Sequence, residues 1–127
     1  MEDEEFCELV GLTGTWMELG VISPQQLREL KAAYVTGNDP HPEHYRWRAF
    51  KLFLRNHAVL DEATARSLYE VGRNDPDHSM GGSMMADILR RADCPLSLIE
   101  STAQSDIPFL RKIALEQLQK RAGRDRD

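Results

Sequence analysis

The stretch Gly37-Asn38-Asp39-Pro40, "GNDP", returns in near copy thirty-six residues later as Arg73-Asn74-Asp75-Pro76, "RNDP". Asn and Asp tolerate turn conformations and bond nearby backbone N–H groups through their side chains. Pro ends one helix or opens the next, because it has no N–H to satisfy. Both copies therefore read as turns between helices. Apolar residues at helical spacing flank each one: Leu27, Leu30 and Tyr34 before the first, Ala49, Leu52 and Phe53 after it. Leu68 and Val71 precede the second, and Ile88 and Leu89 follow it. The stretch "CPLSLIESTAQSDIPFLRKIALEQLQKR" repeats the layout, with Asp106 in the turn. Asp39, Asp75 and Asp106 are 36 and 31 residues apart, and Ala49, Ala86 and Ala114 are 37 and 28 apart. A period in the thirties built from two helices is the signature of an α-solenoid. One such pair cannot bury its apolar face alone, so about three must stack.

Punctuation along the chain predicts seven helices, over about 4–19, 24–36, 43–56, 61–72, 80–91, 95–104 and 108–121. Ser23 is placed as an N-cap with Pro24 at the first helical position. Asp61 caps and Gly72 ends the fourth helix. Asp106 is placed as the cap of the last. Phe6, Leu9, Val10, Thr13, Trp16 and Met17 make the stripe of the first helix, although Gly11 and Gly14 each cost about 1 kcal/mol in a helix interior. The expected fold is all-α, a short right-handed α-solenoid. It is one domain over 1–127: an acidic N-terminal helix (1–20), repeats over 21–57, 58–93 and 94–121, and a frayed tail (122–127).

The chain has 127 residues, 41% hydrophobic and 29% charged, as in an ordinary globular protein. No apolar run approaches the ~20 residues of a membrane span. The start, "MEDEEF", is acidic where a signal peptide is basic and then apolar. These features predict a cytoplasmic location and no membrane partner. Cys7 and Cys94 fall in no motif and read as reduced and half-buried. The net charge of −5 is uneven: the first 20 residues carry −6 and the rest +1. Acids suit a helix N-terminus, where the macrodipole favours them. The alternative is an acidic patch facing a partner.

The last repeat, through Pro95, Leu98, Ile99, Asp106, Leu110, Arg111 and Ala114, resembles the leucine-rich repeat variant and, more loosely, HEAT-like helical repeats. The second repeat departs from that pattern: Met84-Met85 stands where a basic element belongs, and Gly81-Gly82 has no counterpart. The resemblance implies a curved scaffold that binds proteins, or in a few cases nucleic acid, with the second helices lining its concave side. Some variant-repeat proteins carry an iron–sulfur cluster on a cysteine-rich segment. Two scattered cysteines cannot reproduce that, and no cofactor is expected.

Three groups of residues are candidates for chemistry. Asp39, His41 and His44 in one turn and Asp75 and His78 in the next would share a ridge if the turns stack, as a metal site or an acid/base pair. Their spacing matches no ligand motif, and solvated turns are the alternative. "HSMGGSMM" would present N–H groups to an anion, or let two helices approach closely. The basic second helices offer Arg46, Trp47, Arg48, Lys51 and Arg111 to an acidic protein, or to nucleic acid with Trp47 and Tyr45 stacking on bases. No Ser or Cys sits in a nucleophile motif, so no enzyme is expected. The sequence thus predicts a non-catalytic interaction module, an adaptor, inhibitor or immunity-type partner. Nucleic-acid binding is the alternative, and a metal-dependent enzyme on the turn ridge stands behind both. Whether the acidic first helix covers the basic helices is open at this point.

Overall fold

The computed structural model describes residues 1–19 and 23–125. Every regular element among them is helical: α1 (Asp3–Val10), α2 (Thr15–Glu18), α3 (Pro24–Val35), α4 (Pro42–Asn56), α5 (Glu62–Arg73), α6 (His78–Leu89), α7 (Leu96–Thr102) and α8 (Pro108–Asp125). The all-α expectation holds. No helix among the described residues is long and apolar enough to cross a membrane. Packing divides the chain into two compact units, Met1–Ala58 and Val59–Asp127.

In the first unit α1 packs on both α3 and α4. Its Phe6 ring meets Tyr45 edge-on at 5.6 Å and Tyr34 at 5.9 Å, and Tyr34 meets Tyr45 at 5.6 Å. Phe50 and Phe53 on α4 are also buried. Such tilted and edge-on pairs add to the stabilisation from burial alone. The expected caps form at α3, where Ser23 and Gln26 bond each other's backbone N–H in a capping box. The Gln26 side chain also accepts a bond from Asn56 Nδ2 at 3.0 Å, tying the start of α3 to the end of α4.

The single helix expected over 4–19 is corrected to two, broken at Gly11. Gly11 adopts φ +85°, and the Leu12 N–H returns to the Cys7 carbonyl at 2.8 Å. This left-handed closure suits glycine and few other residues. A Cβ there would also press on the Arg46 side chain at 3.2 Å.

In the second unit α5 and α6 form a tight hairpin, and α8 packs on both α6 and α7. Gly72 was expected to end α5. Instead it lies inside that helix, which runs to Arg73 and is capped by Asn74. Its role is steric. A Cβ on Gly81 would overlap the Gly72 carbonyl oxygen, and one on Gly72 would lie 2.9 Å from the Gly81 carbonyl oxygen. The two glycines let backbone touch backbone where the helices cross. Ala49, Ala86 and Ala114, matched by spacing in the sequence, are all essentially fully buried.

The two NDP segments are turns of the same build. The Asp39 carboxylate accepts from the His41 N–H at 3.1 Å, and Asp75 accepts from Asp77 N–H at 2.9 Å. In the third turn that part is taken by Ser105, whose Oγ accepts from the Ile107 N–H at 3.1 Å. Asp106, expected in the turn role, is an exposed residue beside it.

The segment between α6 and α7 is clamped from two sides. Asp93 accepts from Arg91 Nε (2.8 Å) and Nη2 (2.9 Å) and from the Leu60 N–H (2.8 Å). The hydrogen bond from Arg91, joined by the one from Leu60, brings its carboxyl down to about 2. Arg121 on α8 donates to the carbonyls of Arg91, Ala92 and Cys94. α8 continues to Asp125, beyond its expected end, while residues 126 and 127 of the expected frayed tail lie outside the described residues. Cys7 and Cys94 are free and more buried than expected, and burial pushes the Cys94 thiol up to about 11.

Candidate functional site

Helix α4 carries the densest group of candidate residues. Pro42 begins it, and Tyr45, Arg46, Ala49, Phe50 and Phe53 form its buried side. His41, His44, Arg48, Lys51 and Arg55 are all exposed. His44, Arg48, Lys51 and Arg55 recur at steps of four, three and four residues, so one arc of roughly 60° holds all four, with His41 at the N-cap before them. This is a basic stripe down the outer face of the helix.

Aromatic rings lie under the cations. Lys51 Nζ is 4.4 Å from the centroid of Trp47, and the Arg48 guanidinium is 5.3 Å from that of Tyr45. Trp47 is half-buried and stacks on Phe50 at 6.0 Å. Such contacts hold flexible basic chains in place while leaving their charges in water.

At the N-terminal end the Asp39 carboxylate gathers the first members of the stripe. Its Oδ2 lies 2.8 Å from His44 Nδ1 and 3.0 Å from Arg48 Nη2. The hydrogen bond with His44 is the main cause that holds Asp39 below the usual carboxylate range. The Tyr45 hydroxyl donates to the Asp39 carbonyl at 2.5 Å, and burial pushes that hydroxyl up. The His41 and His44 rings lie 4.9 Å apart. The NDP turn thus both starts α4 and orients the first turn of its basic face.

Arg46 does not belong to this surface. It was expected as a contact residue, but it is 9% exposed, and its Nη1 donates to the Val10 carbonyl at 2.8 Å. The last carbonyls of a helix have no intrahelical donor, and Arg46 supplies one to α1 from another helix. Arg48, Lys51 and Trp47 are brought together as expected. Arg111 stands on α8 in the second unit, exposed, donating to the Ser105 carbonyl at 3.3 Å.

The turn cluster is divided between the two units. Asp39, His41 and His44 form one group, whereas Asp75 is buried in the second unit and His78 opens α6 there. Among the described residues no three His, Cys, Asp or Glu side chains are set to hold a metal ion. The start of α6 is already served, since Asp77 accepts from the Met80 N–H at 3.0 Å.

The acidic N-terminal segment faces outward. α1 turns Phe6, Cys7 and Val10 to the core and leaves Glu4, Glu5 and Glu8 exposed. Its Asp3 pairs with Lys31 on α3 at 2.5 Å.

Two further features are legible in the letters. His41 and His44 share the spacing of Arg48, Lys51 and Arg55, so turn and basic helix form one surface. Ile107 and Phe109 fall outside the buried face of α8, which is Leu110, Ile113 and Ala114, and both stay about half exposed. Comparison of the chain with protein-family models, curated proteins and solved structures found no match.

Proposed function

We propose that the protein is a non-catalytic interaction module that binds an acidic surface of another protein through Arg48, Lys51 and Arg55 of α4. The observation that carries this reading is the alignment of those cations on one exposed face, with Lys51 and Arg48 held over Trp47 and Tyr45. Ordered side chains lose less freedom on binding, so less of the attraction is spent on fixing them. An acidic protein suits the stripe better than nucleic acid does. The chain carries −5 overall, and repulsion from that charge opposes a long polyanion more than a local acidic patch.

The resemblance to leucine-rich repeat variants and HEAT-like repeats supports a scaffold role, as adaptor, inhibitor or immunity-type partner, with the solenoid arrangement part of the proposal. Two free, buried thiols favour a reducing compartment such as the cytoplasm.

The test is recovery of partners from native lysate by tagged wild type beside a triple variant, Arg48→Gln, Lys51→Glu and Arg55→Glu, each with and without nuclease. A protein recovered by wild type alone, unaffected by nuclease and released by rising salt, is the expected result. Recovery abolished by nuclease would favour the nucleic-acid reading, and equal recovery by both chains would remove α4 as the contact face.

A further inference from the structure

The second unit holds a groove that the α4 reading does not use. Two cavities, of about 500 and 540 Å³, share Arg73, Met85, Ile107 and Leu110 in their walls. The first is apolar at Met85, Ile107, Phe109 and Leu110. The second is more polar, with Arg66, Tyr69, Ser101 and Thr102 among its lining. Both fall within the size range of ligand sites.

Three observations point to the same occupant. Ile107 and Phe109, on either side of Pro108, remain 49% and 52% exposed beside the first cavity. The Ser105 turn holds the Ile107 N–H and Phe109 lies in the first turn of α8, so this apolar surface is presented on an ordered backbone. Gly82 also lines the cavity, and a Cβ there would meet nothing within 4 Å, so the helix wall opens towards the space. The basic side chains of this cavity are Arg73 and His78, with no carboxylate among its lining residues, whereas the second cavity is lined also by Glu70 and Asp106. Arg73 is held by Glu70 at 3.4 Å in an exposed pair of the kind that contributes little and exchanges readily.

We propose that this groove binds a short segment of another protein in which a bulky apolar residue stands beside an acidic one. The apolar side chain enters the first cavity against Met85, Ile107 and Phe109, and the neighbouring carboxylate takes Arg73. Met85, unbranched and polarisable, adapts the floor to the side chain that enters. This site is independent of the α4 stripe and would give the module a second point of attachment.

The test is selection of a phage-displayed library of random peptides, about a dozen residues long, on the whole chain, followed by fluorescence anisotropy with the enriched peptides. The expected peptides carry Leu, Ile, Met, Phe or Trp next to Asp or Glu. Gly82→Leu fills the cavity from a position with open space around it, and should weaken binding by at least about tenfold, or about 1.4 kcal/mol. Phe109→Ser, at an exposed site, should do the same, and Arg73→Glu should weaken the acidic peptides by a similar factor. The α4 triple variant should bind them as wild type does. No enriched peptide, or enriched peptides that bind Gly82→Leu and Phe109→Ser as tightly as wild type, would overturn the proposal. So would an apolar consensus lacking acidic residues and indifferent to Arg73→Glu.

Discussion

Replacing Gly81 by Ala should destabilise the second unit, while the same change one residue later should stabilise it. At position 81 the new methyl would overlap the Gly72 carbonyl oxygen and sit 3.3 Å from the Asp75 Cβ. The main obstacle is backbone, so no side-chain rotation relieves it. Relief requires α5 and α6 to move apart, which loosens the burial of Met84 and Met85 alongside. Overpacking of this kind costs about 1–3 kcal/mol, and a backbone obstacle belongs at the upper end. Helix propensity returns about 1 kcal/mol, because Gly is the poorer helix former. The net loss is about 1–2 kcal/mol. At Gly82 nothing lies within 4 Å, so only the propensity gain of about 1 kcal/mol applies. The two neighbours should therefore differ by about 2–3 kcal/mol. Urea denaturation followed by circular dichroism, with Gly72→Ala as the reciprocal variant, measures this. If Gly81→Ala proves as stable as Gly82→Ala, the helices do not touch through these two glycines.

Arg46→Ala should cost about 2–3 kcal/mol, because the Val10 carbonyl loses its buried charged donor, whereas Lys51→Ala and Arg55→Ala should stay within about 0.5 kcal/mol; thermal melts separate the two classes. Asp93 has a folded-state value of about 2, below its ordinary 3.8. Its contribution is thus present above pH ~4 and is lost as pH falls through about 2. Discounted for its partial exposure, it amounts to about 1–2 kcal/mol, and Asp93→Ala should remove both that stability and its acid dependence in a urea–pH series. Ser105→Ala should cost about 0.5–1 kcal/mol by leaving the Ile107 N–H without its acceptor, and Ser105→Asp, which restores the build of the first two turns, should recover it in the same denaturation assay.

What the letters carried well was local. Ser23, Asp61 and the NDP turns act over two or three residues, and their partners lie beside them in the chain. The helix positions follow from that punctuation. What they hid depended on distant partners. Gly11 can sit in a helix at a modest cost or end one. The stripe through Leu9 and Thr13 favoured continuation, yet both are exposed, and Leu12 and Trp16 fill the core after a break. Arg46 reads as a surface cation until its hydrogen bond to Val10, thirty-six residues earlier, is seen. Gly72 looks like a helix end alone and becomes a crossing point only when paired with Gly81. In the third turn the matching group is a serine hydroxyl, so alignment by residue type selected Asp106, its neighbour. The basic face of α4 was only partly read, because counting charge does not say which cations share an arc.

The clamp that Arg121 places on the Arg91–Cys94 segment sets an order in time. The first unit is built from residues up to Ala58, all of which are made before α8. In the second unit Asp93 can close its side of the link between α6 and α7 with Arg91 and Leu60 early, but the Arg121 side waits until residue 121 has left the ribosome. During that interval the hydrophobic faces of α6 and α7 are without α8, their shared neighbour. Slow synthesis through this region would lengthen their exposure to chaperones and proteases.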